Sequence, residues 1–240
     1  MPHGTCWAMA TTPSNLGYWI LDAYTGAVSA YGDANSYGDR TASNTGGADL
    51  WPISIALVPT SDGKGYWILD VGLSGLGSVR AYGDAISYGD QTDVAGTTGI
   101  NGRPVDMAAT PDGKGYWIVD SDGGVFAFGD AAFTGSMGGR PMAADVVGMA
   151  RNATGSGYWL AGADGGVFAF GGAVFGGSMA GKPLGAPVVG VAAAIGGGYW
   201  LAGADGGVFA FGGAPFLGSM AGRPMAQPVF AISTPALTVS

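Results

Sequence analysis

Short apolar runs recur along the chain in one pattern, in which segments such as GYWLAG and VFAFG are separated by Asp-Gly and Gly-Gly pairs. Runs that are apolar at successive positions are typical of strands buried on both faces. Glycine between two such runs supplies the positive φ that a tight hairpin turn requires. The pattern therefore predicts an all-β chain of short antiparallel strands joined by tight turns.

The tripeptide Gly-Tyr-Trp marks five copies of a longer repeat, with spacings of 48, 50, 42 and 41 residues. Its glycines are Gly17, Gly65, Gly115, Gly157 and Gly198. A period of about 40 to 50 residues with several strands in each copy is typical of a propeller blade. The sequence predicts a five-bladed β-propeller in a single domain, 1–240. The copies span about 5–50, 51–102, 103–144, 145–186 and 187–225.

Each copy is expected to supply about four short antiparallel strands, which in the third copy are PVDMAAT, GYWIVD, VFAFG and AFTGS. The first strand should line a narrow central channel, because small residues recur near one of its positions. They are Ala8, Asp106 and Gly148, with Gly190 and Ser54 near the same place. A sixth such segment, 228–233, is predicted to be a closing strand that completes the ring beside the other terminus. A longer array of repeats is the alternative explanation of that segment.

Charge and composition narrow the range of partners. The chain has 17 acidic residues, all Asp, against nine Lys and Arg, which gives a net charge of −8 and a pI near 4.2. Phosphate backbones and anionic membrane surfaces should be repelled, so no nucleic-acid partner and no membrane insertion are expected. Cys6 is the only cysteine, which excludes an internal disulfide.

The string GYW(I/L)…DGGVFAFG(D/G)A, with G(R/K)P linkers and P-D-G-K-G turns, resembles repeats of secreted and cell-wall-associated actinobacterial proteins. Some of those repeats are modules attached to cell-wall hydrolases. The resemblance implies a secreted or cell-surface protein, although MPHGTCWAMA shows no secretory signal. In architecture and blade length the chain is also similar to five-bladed propeller lectins of the tachylectin-2 type, which bind N-acetyl sugars.

Charged residues on loops are the preferred candidates for ligand binding. Carboxylates in the hairpin turns and cations in the linkers should lie on one face, where they suit hydroxyl and acetamido groups. The residues concerned are Asp122, Asp164, Asp205, Arg103, Arg140, Lys182 and Arg223. The alternative is that the carboxylates only stabilise their turns and the cations are only solvated. The repeated tryptophans are expected to pack between blades rather than to stack on sugars.

Few side chains of this sequence are suited to catalysis. His3 is the only histidine, so a Ser-His-Asp or Cys-His arrangement lacks a well-placed base. A glycoside hydrolase would need an asymmetric carboxylate set, for which Asp106, Asp70 and Asp120 are the candidates. Calcium could use such carboxylates, but it needs six or more oxygen ligands and the chain has no Glu, so no cofactor or metal is expected.

The sequence thus favours a lectin-like, carbohydrate-binding or cell-envelope interaction module with weak repeated sites. It should act as a monomer on a glycan or cell-wall polysaccharide. The alternatives are a glycoside hydrolase and a non-catalytic protein-interaction scaffold. Near-identity of the fourth and fifth copies argues against an enzyme, because an active site is unique whereas lectin sites are repeated.

Overall fold

The computed structural model describes residues 6–43, 53–94 and 100–233. These residues form an all-β structure of five three-stranded antiparallel sheets, one for each copy of the repeat. Within every sheet the strands follow each other in chain order. The predicted fold class and the five-fold repetition are therefore confirmed at the level of the sheets.

The strands are short and evenly distributed. They are β1 (Cys6–Thr11), β2 (Tyr18–Asp22), β3 (Val28–Tyr31), β4 (Ile53–Pro59), β5 (Gly65–Val71), β6 (Gly77–Gly83), β7 (Pro104–Ala109), β8 (Gly115–Asp120), β9 (Val125–Gly129), β10 (Val146–Arg151), β11 (Gly157–Gly162), β12 (Val167–Gly171), β13 (Val188–Ala193), β14 (Tyr199–Gly203) and β15 (Val208–Phe211). A 3-10 turn (Arg40–Ser43) and the helix α1 (Gln91–Val94) follow the first two sheets. Neither helix in the described ranges is long and apolar enough to cross a membrane.

The first strand of each sheet has a bulge near its start. In the third sheet Pro104 pairs with Asp120, and the register then shifts so that Asp106 pairs with Val119. The same step occurs in the other four sheets. It makes Asp106 equivalent to Ala8, Ala56, Gly148 and Gly190. Ala56 therefore takes the position near which the sequence suggested Ser54.

The hairpin turns follow the predicted chemistry. In the last three sheets the turn glycines Gly123, Gly165 and Gly206 have φ of 74°, 77° and 75°. This left-handed conformation is accessible to glycine at little cost, whereas a side chain there would be strained. The prediction that Asp-Gly-Gly makes the turn between the second and third strands is confirmed.

Aromatic residues of the Gly-Tyr-Trp strands form the core between sheets. The first strands lie side by side in the order β1, β4, β7, β10, β13. In the first four repeats the tryptophan ring contacts the tyrosine ring of the following repeat, with centroids 5.1 to 5.9 Å apart. The pairs are Trp19 with Tyr66, Trp67 with Tyr116, Trp117 with Tyr158, and Trp159 with Tyr199. All eight side chains are buried.

Each tryptophan of the Gly-Tyr-Trp strands also binds the segment that follows the third strand of its own repeat, which we call the outer segment. The indole N–H of Trp117 donates to the carbonyl of Ala132 at 2.8 Å, and that of Trp159 donates to Val174 at 2.9 Å. The other three tryptophans make the equivalent bond, to Asn35, Ile86 and Pro215. A buried indole N–H needs such an acceptor, so the bond ties the position of the segment to that of the ring.

In the last four repeats the hydroxyl of the Gly-Tyr-Trp tyrosine binds the outer segment of the preceding repeat at two points. Tyr116 accepts from the backbone N–H of Tyr88 at 3.1 Å and donates to the carbonyl of Gly89 at 2.6 Å. The same two bonds join Tyr66 to the first repeat, Tyr158 to the third and Tyr199 to the fourth. The same two hydrogen bonds of a tyrosine hydroxyl therefore join the repeats at four successive interfaces.

The expected fourth strand is not formed. The segment AFTGS, 132–136, has no strand pairing, and the described residues give three strands in every sheet. The hydroxyl of Tyr158 bonds Thr134 N–H and Gly135 carbonyl, and Gly135 has a φ of 136°. A side chain from the next repeat thus takes the hydrogen bonds that a neighbouring strand would have made.

Residues 228–233 do not form the predicted closing strand either. The segment has no strand pairing, although it packs beside β13. The cavity lined by the first strands is also lined by 230–233. Closure of the ring by this segment stays a prediction.

Replacing one buried tyrosine hydroxyl tests this account of the interfaces. Tyr116→Phe leaves Tyr88 N–H and Gly89 carbonyl without their partner, so the free energy of unfolding should fall by about 1 to 3 kcal/mol. Tyr18→Phe is the matched control, since the Tyr18 side chain is 38% exposed and makes no hydrogen bond within the described ranges. Urea denaturation measures both variants. Equal losses in the two would contradict the account.

Candidate functional site

Two turns meet at one end of each of the last three sheets. The backbone N–H of Met137 donates to Gly123 carbonyl at 2.9 Å, so the turn that ends at Arg140 lies against the Asp-Gly-Gly turn. Met179 makes this bond to Gly165 at 2.8 Å and Met220 makes it to Gly206 at 2.9 Å. We call each such pair a joined turn. The three joined turns comprise 122–124 with 137–140, 164–166 with 179–182, and 205–207 with 220–223.

The carboxylate of each joined turn has one oxygen engaged. Oδ1 of Asp122, Asp164 and Asp205 accepts the backbone N–H two residues later, at 2.9 Å in all three. This is the turn-stabilising bond that Asp commonly makes. All three side chains are half-buried. Within the described ranges no hydrogen bond to their second oxygen is found, which leaves that oxygen as an acceptor.

An aromatic ring lies beside the carboxylate. A Cβ placed on Gly124 would be 3.0 Å from Asp122 Oδ1 and 3.7 Å from a ring carbon of Phe126. Gly207 has the same surroundings, with Asp205 Oδ1 at 2.9 Å and Phe209 at 3.7 Å. Sequence analysis missed these phenylalanines. The alternation in VFAFG could have indicated them, because Phe128 is buried whereas Phe126 is partly exposed.

The cations stand at the outer edge of the joined turns. Arg140, Lys182 and Arg223 are exposed, and each closes its turn through a backbone N–H bond to the methionine three residues earlier. Lys182 Nζ donates to Ser178 carbonyl at 3.0 Å. No ion pair with the turn carboxylates is found in the part of the chain that the structure describes.

Arg103 occupies a different place from the other three cations. It directly precedes β7, as Asp145 precedes β10, and its carbonyl accepts the N–H of Ser121 at 2.8 Å. Its backbone therefore lies beside the Asp-Gly-Gly turn of the third repeat, next to Asp122, but it belongs to the linker that precedes that repeat. Only Arg140, Lys182 and Arg223 form an equivalent set.

The candidate glycosidase carboxylates are not brought together. Asp70 is fully buried, paired with Arg80 Nε at 2.7 Å and bonded by the Ser54 hydroxyl. Asp120 is 1% exposed and accepts from Gln91 Nε2 at 2.6 Å. Of the three, only Asp106 lines the cavity that is bordered by the first strands of the five sheets. Acid–base cleavage of one glycosidic bond needs two carboxyl groups flanking it, and this set does not provide them.

A cavity of about 510 Å³ is lined by the first strands of all five sheets and by 230–233. Two ionisable side chains line it. Asp106 accepts the N–H groups of Met107 and Met149, and burial raises its pKa to about 6 despite those bonds. Arg151 donates to the carbonyls of Asn152 and Ala153, and burial lowers its pKa. Arg151 was missed by sequence analysis, although it replaces a neutral residue of the other copies.

No group of three or more His, Cys, Asp or Glu side chains that could hold a metal ion is found among residues 6–43, 53–94 and 100–233. His3 lies outside these residues.

Comparison with known proteins adds no identification. No protein-family model matches the chain, and a search of curated proteins finds no match.

Asp120 should make stability depend on pH. Burial raises its pKa from 3.8 to about 6, and one of its oxygens has no hydrogen-bond partner within the described ranges. Between pH 4 and 6 the folded state keeps a proton that the unfolded chain releases, so the stability contribution of Asp120 falls as pH rises through this window. Asp120→Asn should therefore gain stability relative to the wild type as pH rises, by about 3 kcal/mol at most.

Urea denaturation at several pH values between 4 and 7 measures this difference. Asp62→Asn is the matched control, because the Lys64 ammonium and backbone N–H hold the pKa of Asp62 down to about 2. Asp62 is then ionised in both folded and unfolded states above pH 5, so its variant should show a nearly flat difference there. A flat difference for Asp120→Asn would contradict the burial argument.

Proposed function

We propose that the chain contributes five blades of a β-propeller and acts as a carbohydrate-binding, cell-envelope interaction module. Three observations support the propeller: one sheet per repeat, first strands that lie side by side in chain order, and a cavity that all five first strands line. In propellers the blades surround a central channel in this way.

The observation that supports carbohydrate binding is the threefold recurrence of the joined turn. Each one combines a half-buried carboxylate and an exposed cation, and the third and fifth repeats also place an aromatic ring beside the carboxylate. The free carboxylate oxygen would accept a sugar hydroxyl or acetamido N–H. The ring would cover an apolar sugar face, and Arg or Lys would donate to sugar oxygens.

Each site on its own would be shallow and weak. A ligand with repeated sugars could occupy two or three joined turns at once, and its binding would gain strength from multivalency. A cell-wall polysaccharide has this form. The resemblance of the repeat to secreted and cell-wall-associated proteins supports the same partner and a location outside the cell.

Repetition also distinguishes binding from catalysis. The joined turns are nearly the same in three sheets, whereas catalysis needs one asymmetric set of groups. Asp70 and Asp120 are buried and hydrogen-bonded within the protein, which makes them supports of the fold rather than reagents.

Calorimetric titration with N-acetylglucosamine oligomers and soluble cell-wall fragments tests the proposal. We expect weak binding at about three equivalent sites, unchanged by a metal chelator. The triple variant Asp122→Asn, Asp164→Asn, Asp205→Asn should abolish it. Asn keeps the oxygen that accepts the turn N–H, so the turns should stay intact while the acceptor charge is lost.

The control is Asp62→Asn together with Asp112→Asn, which changes turn carboxylates that pair with Lys64 and Lys114 outside the joined turns. It should bind as the wild type does. Absence of binding to every sugar, or unchanged binding by the triple variant, would overturn the proposal.

A further inference from the structure

A single cation borders the cavity that the five first strands line. Arg151 is the last residue of β10 and lines this cavity. It pairs with Tyr158 of its own sheet, and the residues that pair with the equivalent tyrosines of the other sheets are Thr11, Pro59, Ala109 and Ala193. Four neutral residues thus hold this position in equivalent sheets, so the fold does not need a cation there.

The guanidinium of Arg151 has donors that the protein does not use. Its Nη1 donates to the carbonyls of Asn152 and Ala153, at 3.2 and 3.3 Å. Among the described residues, its Nε and Nη2 have no acceptor, and no carboxylate lies within ion-pair distance of it. Removing a cation from water without a counter-ion costs free energy, and burial accordingly lowers the pKa of Arg151. An anion from outside the chain would offset part of this cost.

This cation lies at the end of the sheets opposite to the joined turns. The N–H of Val146, the first residue of β10, donates to Ser121 carbonyl at 2.8 Å, which places the start of β10 beside an Asp-Gly-Gly turn. Arg151 comes five residues later, which is about 16 Å along a strand. Two prolines from the turns after other first strands, Pro13 and Pro111, also line the cavity. The cavity end at Arg151 is therefore separate from the proposed glycan sites.

The rest of the cavity suits an apolar molecule. Side chains that line it and are not fully buried include Met9, Ile55, Val58, Val105, Val147 and Val189. The other ionisable group in the described lining is Asp106, whose two oxygens already accept backbone N–H groups. Asp106 is level with Gly148, three residues or about 10 Å before Arg151. A ligand that extends from Arg151 to this level must be apolar there, because Asp106 would repel a second negative charge.

We propose that this cavity binds a small organic monocarboxylate with an apolar body, independently of the joined turns. The carboxylate would accept two parallel hydrogen bonds from Nε and Nη2 of Arg151, a geometry that the planar guanidinium favours. The apolar body would lie along Met9 and the valines. The volume of about 510 Å³ is within the range of small-molecule sites. One cation in a chain of net charge −8 favours a singly charged head over a phosphate dianion.

Calorimetric titration of the full chain with octanoate tests the proposal. We expect saturable binding of one octanoate per chain. Arg151→Ala should weaken it about tenfold or more, because the charge-assisted hydrogen bonds are lost. Alanine stands at the equivalent positions 109 and 193, so this variant should fold, which its melting temperature checks. Octanamide, which has the same body and a neutral head, should bind the wild type as weakly as octanoate binds the variant.

Lys114→Ala is the matched control for the loss of one positive charge. Lys114 lies in the turn after β7, pairs with Asp112 at the surface and does not line the cavity. This variant should bind octanoate as the wild type does. So should the triple Asp→Asn variant of the joined turns, whereas Arg151→Ala should keep any glycan binding. Failure of one proposal is thereby distinguished from failure of the other.

Nuclear magnetic resonance of the wild type locates the ligand without any substitution. Met9 and Met220 are both 43% exposed, but only Met9 lines the cavity, since Met220 belongs to a joined turn. With ¹³C-labelled methionine methyl groups, octanoate should shift the Met9 signal and leave the Met220 signal in place.

Four results would each contradict the proposal. The first is no saturation at about 1 mM octanoate, the limit of weak specific binding. The second is equal affinity of the wild type and Arg151→Ala, and the third is equal affinity for octanoate and octanamide. The fourth is a Met9 signal that does not move, or that moves no more than the signal of Met220.

Discussion

The tyrosine hydroxyl of the Gly-Tyr-Trp strand is the interaction on which the rest of the structure depends. Neighbouring residues of a strand point to opposite faces, so Tyr158 contacts the preceding repeat while Trp159 contacts the following one. The hydroxyl accepts one backbone N–H and donates to the next carbonyl, and the indole N–H binds its own outer segment. Two adjacent side chains thus define both the order of the sheets and the course of the chain between them.

Because the aromatic residues hold the sheets together, the joined turns are available for the ligand binding that we propose. The aromatic pairs stabilise the interior without any contribution from Asp164 or Lys182, so those residues are constrained only by turn geometry. A loop on a rigid support keeps its groups in place at little entropic cost, which is what a weak site needs in order to act in multiple copies. The same support explains why Asp70 and Asp120, which lie within it, are poor candidates for chemistry.

The sequence contains enough information to predict the strands, the turns and their fivefold repetition, because glycine and apolar periodicity are local signals. It does not reveal the missing fourth strand, since the bonds that replace strand pairing come from a tyrosine more than twenty residues away, as Thr134 and Tyr158 show. Among site residues, Asp122 was identified from turn chemistry and Arg140 from its place in a linker. Phe126 was not identified, because the run VFAFG was interpreted as apolar on both faces, whereas Phe128 is buried and Phe126 is partly exposed.

Each interface joins the tryptophan side of one repeat to the tyrosine side of the next. In a linear array of such repeats, each repeat therefore depends on its neighbours to cover these two sides. Among the described residues, Tyr18 and Tyr31 of the first sheet are exposed, whereas the equivalent residues of the other sheets are more deeply buried. In the fifth sheet Trp200 is partly buried, whereas the four tryptophans covered by a following tyrosine are buried. The burial of each ring therefore depends on the repeat that packs against it, which is why the same tripeptide is buried to different extents in different copies.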